Sequence, residues 1–198
     1  PAGFGVLAIV VTTEDISALR VCSRGMSAEQ DLTQNLPAGV VLAATPLGNA
    51  ADASPRLAQV LAAADVIAAE DTRRTRALAA ALGVEIAGRV VSNFDHNEES
   101  RVRELLDAAR AGTVVVVTDA GMPLVSDPGH SIVAAAHDAA IPVTCIPGPS
   151  AVTTALALSG LNVGHFIFDG FAPRKAGARR AWLETLVHER RAVCCFES

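Results

Sequence analysis

VVVVTDAGMPLVSDPG, residues 114–129, decides how this chain folds. Four consecutive valines present an apolar surface on both faces, the mark of a strand buried inside a parallel sheet. The next twelve residues carry two glycines (Gly121, Gly129), two prolines (Pro123, Pro128) and two carboxylates (Asp119, Asp127). Connections between strand and helix usually take about two to six residues. A dozen, stiffened by proline and opened by glycine, is a loop with a shape of its own. Ligands of open α/β sheets bind beyond the carboxyl ends of the strands, so this loop is the first candidate for a site.

Outward from it, strand-like and helix-like segments alternate from Ala38 on, which predicts an α/β fold with parallel strands. Residues 40–44 read as a buried strand and TPLGN (45–49) as its turn. A helix starts near Ser54-Pro55, with proline tolerated in the first turn and Leu57, Val60, Leu61 and Ala64 at helical spacing. Residues 66–69 form a second strand, and Asp71 caps a helix over 72–82. A strand at 89–92, a polar loop at 93–98 and a helix at 98–111 lead into the valine strand. A helix at 130–140, a strand at 143–146, the turn PGPS and a helix at 151–158 follow. Residues 38–158 therefore predict a first domain around a parallel-rich five-stranded sheet flanked by helices. Residues 159–164, with two glycines, read as a linker. Residues 165–198 (strand 165–168, loop 170–176, helix 177–189, strand 192–196) read as the start of a second α/β domain, too small to close a core alone. Residues 1–37 stand apart as an extension.

Composition sets bounds on function. Of 198 residues 51% are hydrophobic and 19% charged, which supplies a core and argues against disorder. A net charge of −5 argues against a generic nucleic-acid binder, which is normally basic. Local basic patches remain: Arg73, Arg74 and Arg76, and a second cluster from Arg174 to Arg191. Cys22, Cys145, Cys194 and Cys195 show neither C-x-x-C nor zinc-like spacing, so no metal is expected and free thiols in a reducing cytosol are. The apolar run 4–11 is far shorter than the ~20 residues of a membrane span, and no basic residue precedes it as in a signal peptide. A cytoplasmic protein without membrane attachment is expected. Met26 is a candidate start, and the end directly after a strand-like run reads as a piece of a longer protein.

Three loops, 45–49, 119–129 and 147–150, are predicted to share the carboxyl edge of the sheet, since parallel strands point the same way. Neither G-x-x-x-x-G-K-[ST] nor G-x-G-x-x-G occurs, so phosphate-anchored cofactors and nicotinamide oxidoreductases are disfavoured. Glu70 and Asp71, ending the second strand, are placed to orient a hydroxyl or take a proton; Arg73 and Arg74 are placed to contact phosphate. A capped helix with an exposed basic first turn accounts for the same residues. His96 is a candidate general base, or a surface histidine beside a helix cap. Arg174, Lys175, Arg179 and Arg180 surround a helix start, where positive charge opposes the helix dipole, so an anionic partner is favoured.

Taken together, TPLGN, AAEDTRRT, DHNEES, TDAGMPLVSDPG, PGPSAVTTALALSG and GFAPRK, in this order, resemble the bacterial 16S ribosomal RNA (cytidine-2′-O)-methyltransferases, a branch of the tetrapyrrole-methylase superfamily. The resemblance covers about residues 39–198, and DAG-x-P-x-x-x-DPG together with AAEDTR is its specific part. It implies S-adenosylmethionine as cofactor, in a cleft between two α/β domains. Asp119, Gly121, Met122 and Pro123 would line one side, Ser150 and Ala151 would flank it, and Pro46 and Gly48 would border it. It further implies a cytidine ribose of 16S RNA in the 30S subunit as substrate and a homodimer at full length. Arg73, Arg74, Arg174, Lys175, Arg179 and Arg180 would hold RNA phosphates. The sulfonium already activates the methyl group, so the protein need only align the 2′-hydroxyl and accept a proton, for which Glu70, Asp71 and His96 are candidates. Two readings stand beside it: a methylase of the same superfamily acting on a tetrapyrrole or protein side chain, and a catalytically idle RNA-binding fragment. The extension before Ala38 has no counterpart in the family pattern, and the family's second domain continues past Ser198. On that reading this chain alone binds cofactor weakly or not at all.

Overall fold

The computed structural model describes residues 5–11, 36–93 and 98–197, and these divide into two compact units. The first strand, β1 (Gly5–Val11), belongs to the smaller unit. The larger runs through residue 150 and contains β2 (Gly39–Ala43), α1 (Pro55–Ala63), β3 (Val66–Ala69), α2 (Thr72–Ala81), β4 (Arg89–Ser92), α3 (Glu98–Ala111), β5 (Thr113–Val117), α4 (His130–Asp138) and β6 (Val143–Ile146). The smaller unit adds α5 (Ala151–Leu158), β7 (Phe166–Phe171), α6 (Ala176–Thr185) and β8 (Arg191–Glu197).

The valine strand β5 is the middle of the larger unit. The strand order is β4-β3-β5-β2-β6, and every pair is parallel, as the strand–helix alternation predicts. All five residues of β5 are buried because helices cover both faces of the sheet. Side chains alternate across the sheet, so Val115 and Val117 pack with Leu57, Val60 and Leu61 of α1. Val114 and Val116 pack on the other face with Leu105 and Ala109 of α3 and Ile132 and Ala136 of α4. A buried Leu or Val contributes roughly 1.5–3 kcal/mol, so these two apolar layers dominate the unit's stability.

The punctuation of the elements is local chemistry. Ser54 caps α1, its hydroxyl accepting from the Leu57 amide at 3.1 Å, with Pro55 in the first turn. Asp71 caps α2, as its position after β3 predicts.

In the smaller unit β8 lies between β1, antiparallel to it, and β7, parallel to it. β7 runs to Phe171, past the expected end at 168, with a register shift between Phe168 and Phe171. Both rings pack against Phe196 of β8, at 5.0 and 5.3 Å. α6 stops at Thr185 rather than 189: the Glu189 carboxylate accepts from the Arg190 and Arg191 amides and pairs with the Arg191 guanidinium, turning the chain into β8. The division between units falls at residue 150, so α5 groups with the smaller unit, and the predicted linker 159–164 lies within it. No helix among the described residues is long and apolar enough to cross a membrane.

Candidate functional site

β2 and β5 are neighbours, yet the helices that follow them go to opposite faces, α1 to one and α4 to the other. In open α/β sheets such a divergence marks the edge, at the carboxyl ends of the strands, where ligands bind. The loops after β2, β5 and β6 do meet at this edge. Thr45 and Gly121 exchange both backbone hydrogen bonds, at 2.9 and 3.0 Å, and the Thr45 hydroxyl donates to the Thr118 carbonyl. Gly121 has φ +91°, and a Cβ there would come within 3.3 Å of Leu47 Cδ2. Any side chain would therefore be strained and crowded, and glycine lets the two loops close on each other. At Gly148 a Cβ would lie 3.0 Å from Ala44 Cβ, which brings the β6 loop against the end of β2. Pro46, Gly121 and Pro123 are buried, Met122 and Ser150 half-buried, and Gly48 exposed with open space where a Cβ would stand. Ala151 begins the other unit.

Asp119 stands at the head of the long loop with a side chain 23% exposed. Its Oδ1 accepts the Asp71 amide at 3.1 Å, and Arg74 Nη1 lies 3.3 Å from Oδ2. Burial, and then the negative charge of Glu70, push its carboxyl above the ordinary range against the pull of Arg74. Glu70 Oε2 accepts from the Thr118 hydroxyl at 2.7 Å and the Asp119 amide at 3.0 Å. Glu70 is thus an anchor that fixes the start of the loop. Asp71 accepts from the Arg73 guanidinium at 2.9 Å and the Arg73 amide at 2.8 Å, and these contacts hold its carboxyl down at about 2. A carboxylate so weakly basic can orient a hydroxyl but is a poor proton acceptor at neutral pH. Among the described residues no group of three or more His, Cys, Asp or Glu is placed to hold a metal ion.

His96 lies outside the described residues, as do Met26 and Cys22. Arg73 and Arg74 open α2 beside the edge, each paired with a carboxylate. The other four predicted phosphate contacts belong to the smaller unit. Arg179 there donates to the Pro173 carbonyl and to Glu197, Lys175 is the N-cap residue of α6 without a side-chain capping hydrogen bond, and Arg174 and Arg180 are exposed.

One residue of this edge escapes sequence reasoning. Asn93 directly follows β4, its amide donating to the Ala69 carbonyl, which sets it beside Glu70. It is 2% exposed, and among the described residues neither the oxygen nor the nitrogen of its carboxamide has a hydrogen-bond partner. Each such orphan costs about 1–3 kcal/mol, a penalty that cores avoid. The available signal was its place at the carboxyl end of a strand.

Comparison with known proteins places this geometry in a lineage. The family described as Tetrapyrrole (Corrin/Porphyrin) Methylases matches residues 39–198. The chain is 62% identical over 160 residues to the ribosomal RNA small subunit methyltransferase I of Mycobacterium bovis, covering 80% of this chain and 56% of that protein. It is 48% identical over 158 residues to the protein of that name from Micromonospora olivasterospora (79% and 50%) and 41% identical over 155 to that from Escherichia coli O157:H7 (78% and 54%). The chain thus spans about half the length of these relatives. Among solved structures, uroporphyrin-III-C-methyltransferase from Thermus thermophilus aligns with TM-score 0.50 at 22% identity, covering 69% of this chain and 60% of that one, a likeness of fold. With the five-stranded parallel sheet and a family match over most of its length, the chain belongs to the tetrapyrrole (corrin/porphyrin) methylases.

Proposed function

We propose that this chain is the cofactor-binding part of an S-adenosylmethionine-dependent methyltransferase that methylates the 2′-hydroxyl of a cytidine in 16S ribosomal RNA. The observation that carries the reading is the half-buried Asp119 at the carboxyl edge where the β2 and β5 loops meet, held there by Glu70 and Arg74. The names of relatives 41–62% identical supply the RNA.

The residues present fit the cofactor. Asp119 is a carboxylate suited to ribose hydroxyls or an ammonium. Gly48 leaves open space at the exposed part of the edge, and Gly121 lets the β2 and β5 loops close on each other. Pro46, Met122, Pro123, Ser150 and Ala151 complete the contact surface. S-adenosylmethionine supplies a methyl group activated by its sulfonium. The protein's own work is alignment, and a well-oriented pair of reactants is worth about 7–11 kcal/mol of barrier. Glu70 holds the loop that carries Asp119, Asp71 orients the hydroxyl, and His96 is the candidate that takes its proton. Arg73, Arg74, Arg174, Lys175, Arg179 and Arg180 hold RNA phosphates. The longer protein works as a homodimer in the cytoplasm on the 30S subunit, its second α/β domain beginning with the smaller unit.

The test uses the protein at the full length of its relatives, with 30S particles and S-adenosylmethionine labelled on the methyl group. Label is expected in 16S RNA, on a cytidine ribose. Label on a tetrapyrrole or protein instead, or none, would overturn the reading.

A further inference from the structure

We propose that Arg74 is a latch on Asp119 which an RNA phosphate releases, so that RNA and cofactor each favour the binding of the other; this rests on the cofactor and RNA readings above and adds to them the coupling between the two sites. One guanidinium faces two anions, and it cannot pair fully with both.

Asp119 Oδ1 is committed to the Asp71 amide at 3.1 Å. Oδ2 is the open oxygen: among the described residues it makes no hydrogen bond and meets only Arg74 Nη1, at 3.3 Å. A ribose hydroxyl or an ammonium coming to this carboxylate therefore comes to the oxygen that Arg74 covers. The neighbouring carboxylates are already engaged. Glu70 Oε2 holds the Thr118 hydroxyl and the Asp119 amide, and both oxygens of Asp71 accept from Arg73.

The two sides of the latch are unequal. The Arg74 side chain is 62% exposed and swings from the first turn of α2, whereas Asp119 sits on a loop start that Glu70 fixes. Arg74 can leave, and Asp119 cannot follow it. Arg73 is the contrast, since its guanidinium donates to both oxygens of Asp71 at 3.3 and 2.9 Å and its amide donates to one of them. Of the two arginines that open α2, Arg74 is the readier to exchange. A phosphate gives it a bidentate partner in place of a single ion pair at the protein surface, which contributes little. Asp119, once uncovered, is left beside Glu70 in a half-buried place that disfavours its charge. A hydroxyl or ammonium at Oδ2 removes that cost. Coupling of this kind is reciprocal, so cofactor on Asp119 equally frees Arg74 for the phosphate.

The experiment uses the protein at the full length of its relatives and S-adenosylhomocysteine, which keeps the ribose and the ammonium but has no methyl group to transfer. Its affinity is measured by calorimetry, alone and with an excess of an unstructured ten-nucleotide RNA. RNA should tighten binding to the unaltered protein about 3- to 5-fold, the scale of an exposed ion pair. Arg74→Ala should bind about 3- to 5-fold tighter without RNA and gain nothing further with it. Arg74→Lys, which keeps a cation there, should retain part of the gain. Unchanged circular dichroism verifies the fold of each variant. If RNA tightens Arg74→Ala as it does the unaltered protein, or has no effect on the unaltered protein, the latch is overturned. Weaker binding by Arg74→Ala without RNA overturns it too, because Arg74 would then orient Asp119 rather than cover it. None of these results touches the RNA reading, which methyl transfer to 30S particles judges. Failure of the unaltered protein to bind S-adenosylhomocysteine at all would instead overturn the cofactor reading and the latch together.

Discussion

Asp71 caps its helix and neutralises the charge of that helix's first arginine. Its backbone carbonyl meanwhile accepts from Thr75, so a single residue joins β3 to α2. The paired Arg73 holds the folded-state carboxyl at about 2, against 3.8 for an unpaired aspartate. The folded form therefore binds this proton less tightly than the unfolded chain does. Asp71 contributes its stability above pH 3.8 and loses it as pH falls toward about 2. Asn is itself a good cap, so Asp71→Asn removes the charge and keeps the cap geometry. Thermal melts from pH 7 to 2.5 should show the unaltered chain ahead of the variant at neutral pH and the gap closing below pH 3.8. A gap constant with pH would mean that the Arg73 contact does not set this carboxyl. Asp119 shows the opposite sign only one strand away, because burial outweighs Arg74 there.

At the scale of elements, β4 depends on a glycine. A Cβ on Gly88 would sit 2.1 Å from the Ala64 carbonyl oxygen and 2.6 Å from that of Asp65. Both are backbone atoms of the turn between α1 and β3, and neither can swing away. Gly88→Ala should cost about 2–3 kcal/mol in urea denaturation and loosen β4 first, seen as faster amide exchange at Val90 and Val91. A cost below ~0.5 kcal/mol would show that β4 is free to shift. The sequence announces β4 itself, through its apolar pair and the alternation around it, but not this contact, because the glycine's φ is ordinary and the crowding comes from a turn more than twenty residues earlier. The same holds at the site. The strand runs, the helix start at Ser54-Pro55, the cap at Asp71 and the over-long loop are legible because each is chemistry among neighbours in sequence. The Thr45–Gly121 exchange, Glu70 holding Thr118 and the orphaned Asn93 amide depend on contacts or burial set across strands. Glu70 reads in the sequence as a free acid; only the placement of β3 beside β5 shows it accepting two bonds from the loop. α6 ends early because Glu189 prefers the amides of Arg190 and Arg191 to solvent, a local preference that hydrophobic spacing does not encode.

At the scale of the molecule, the larger unit has both faces of its sheet covered by its own helices. Residues 31–150 expressed alone should therefore unfold in a single cooperative urea transition, with the slowest amide exchange in β5. A broad, non-cooperative transition would show that residues 151–198 are required for its core. The position of β2 in this sheet carries a consequence for how the protein is made. It is the first strand of the unit to leave the ribosome, yet its partners are β5 and β6, Val40 pairing with Val114 and then Val143. At roughly 5–20 residues per second, the apolar segment GVVLA waits several seconds for its neighbours, both its backbone edges unpaired. β2, the first strand of the sheet to be made, is thus completed only when its last strand, β6, has emerged, and that interval is when the nascent chain depends most on chaperones.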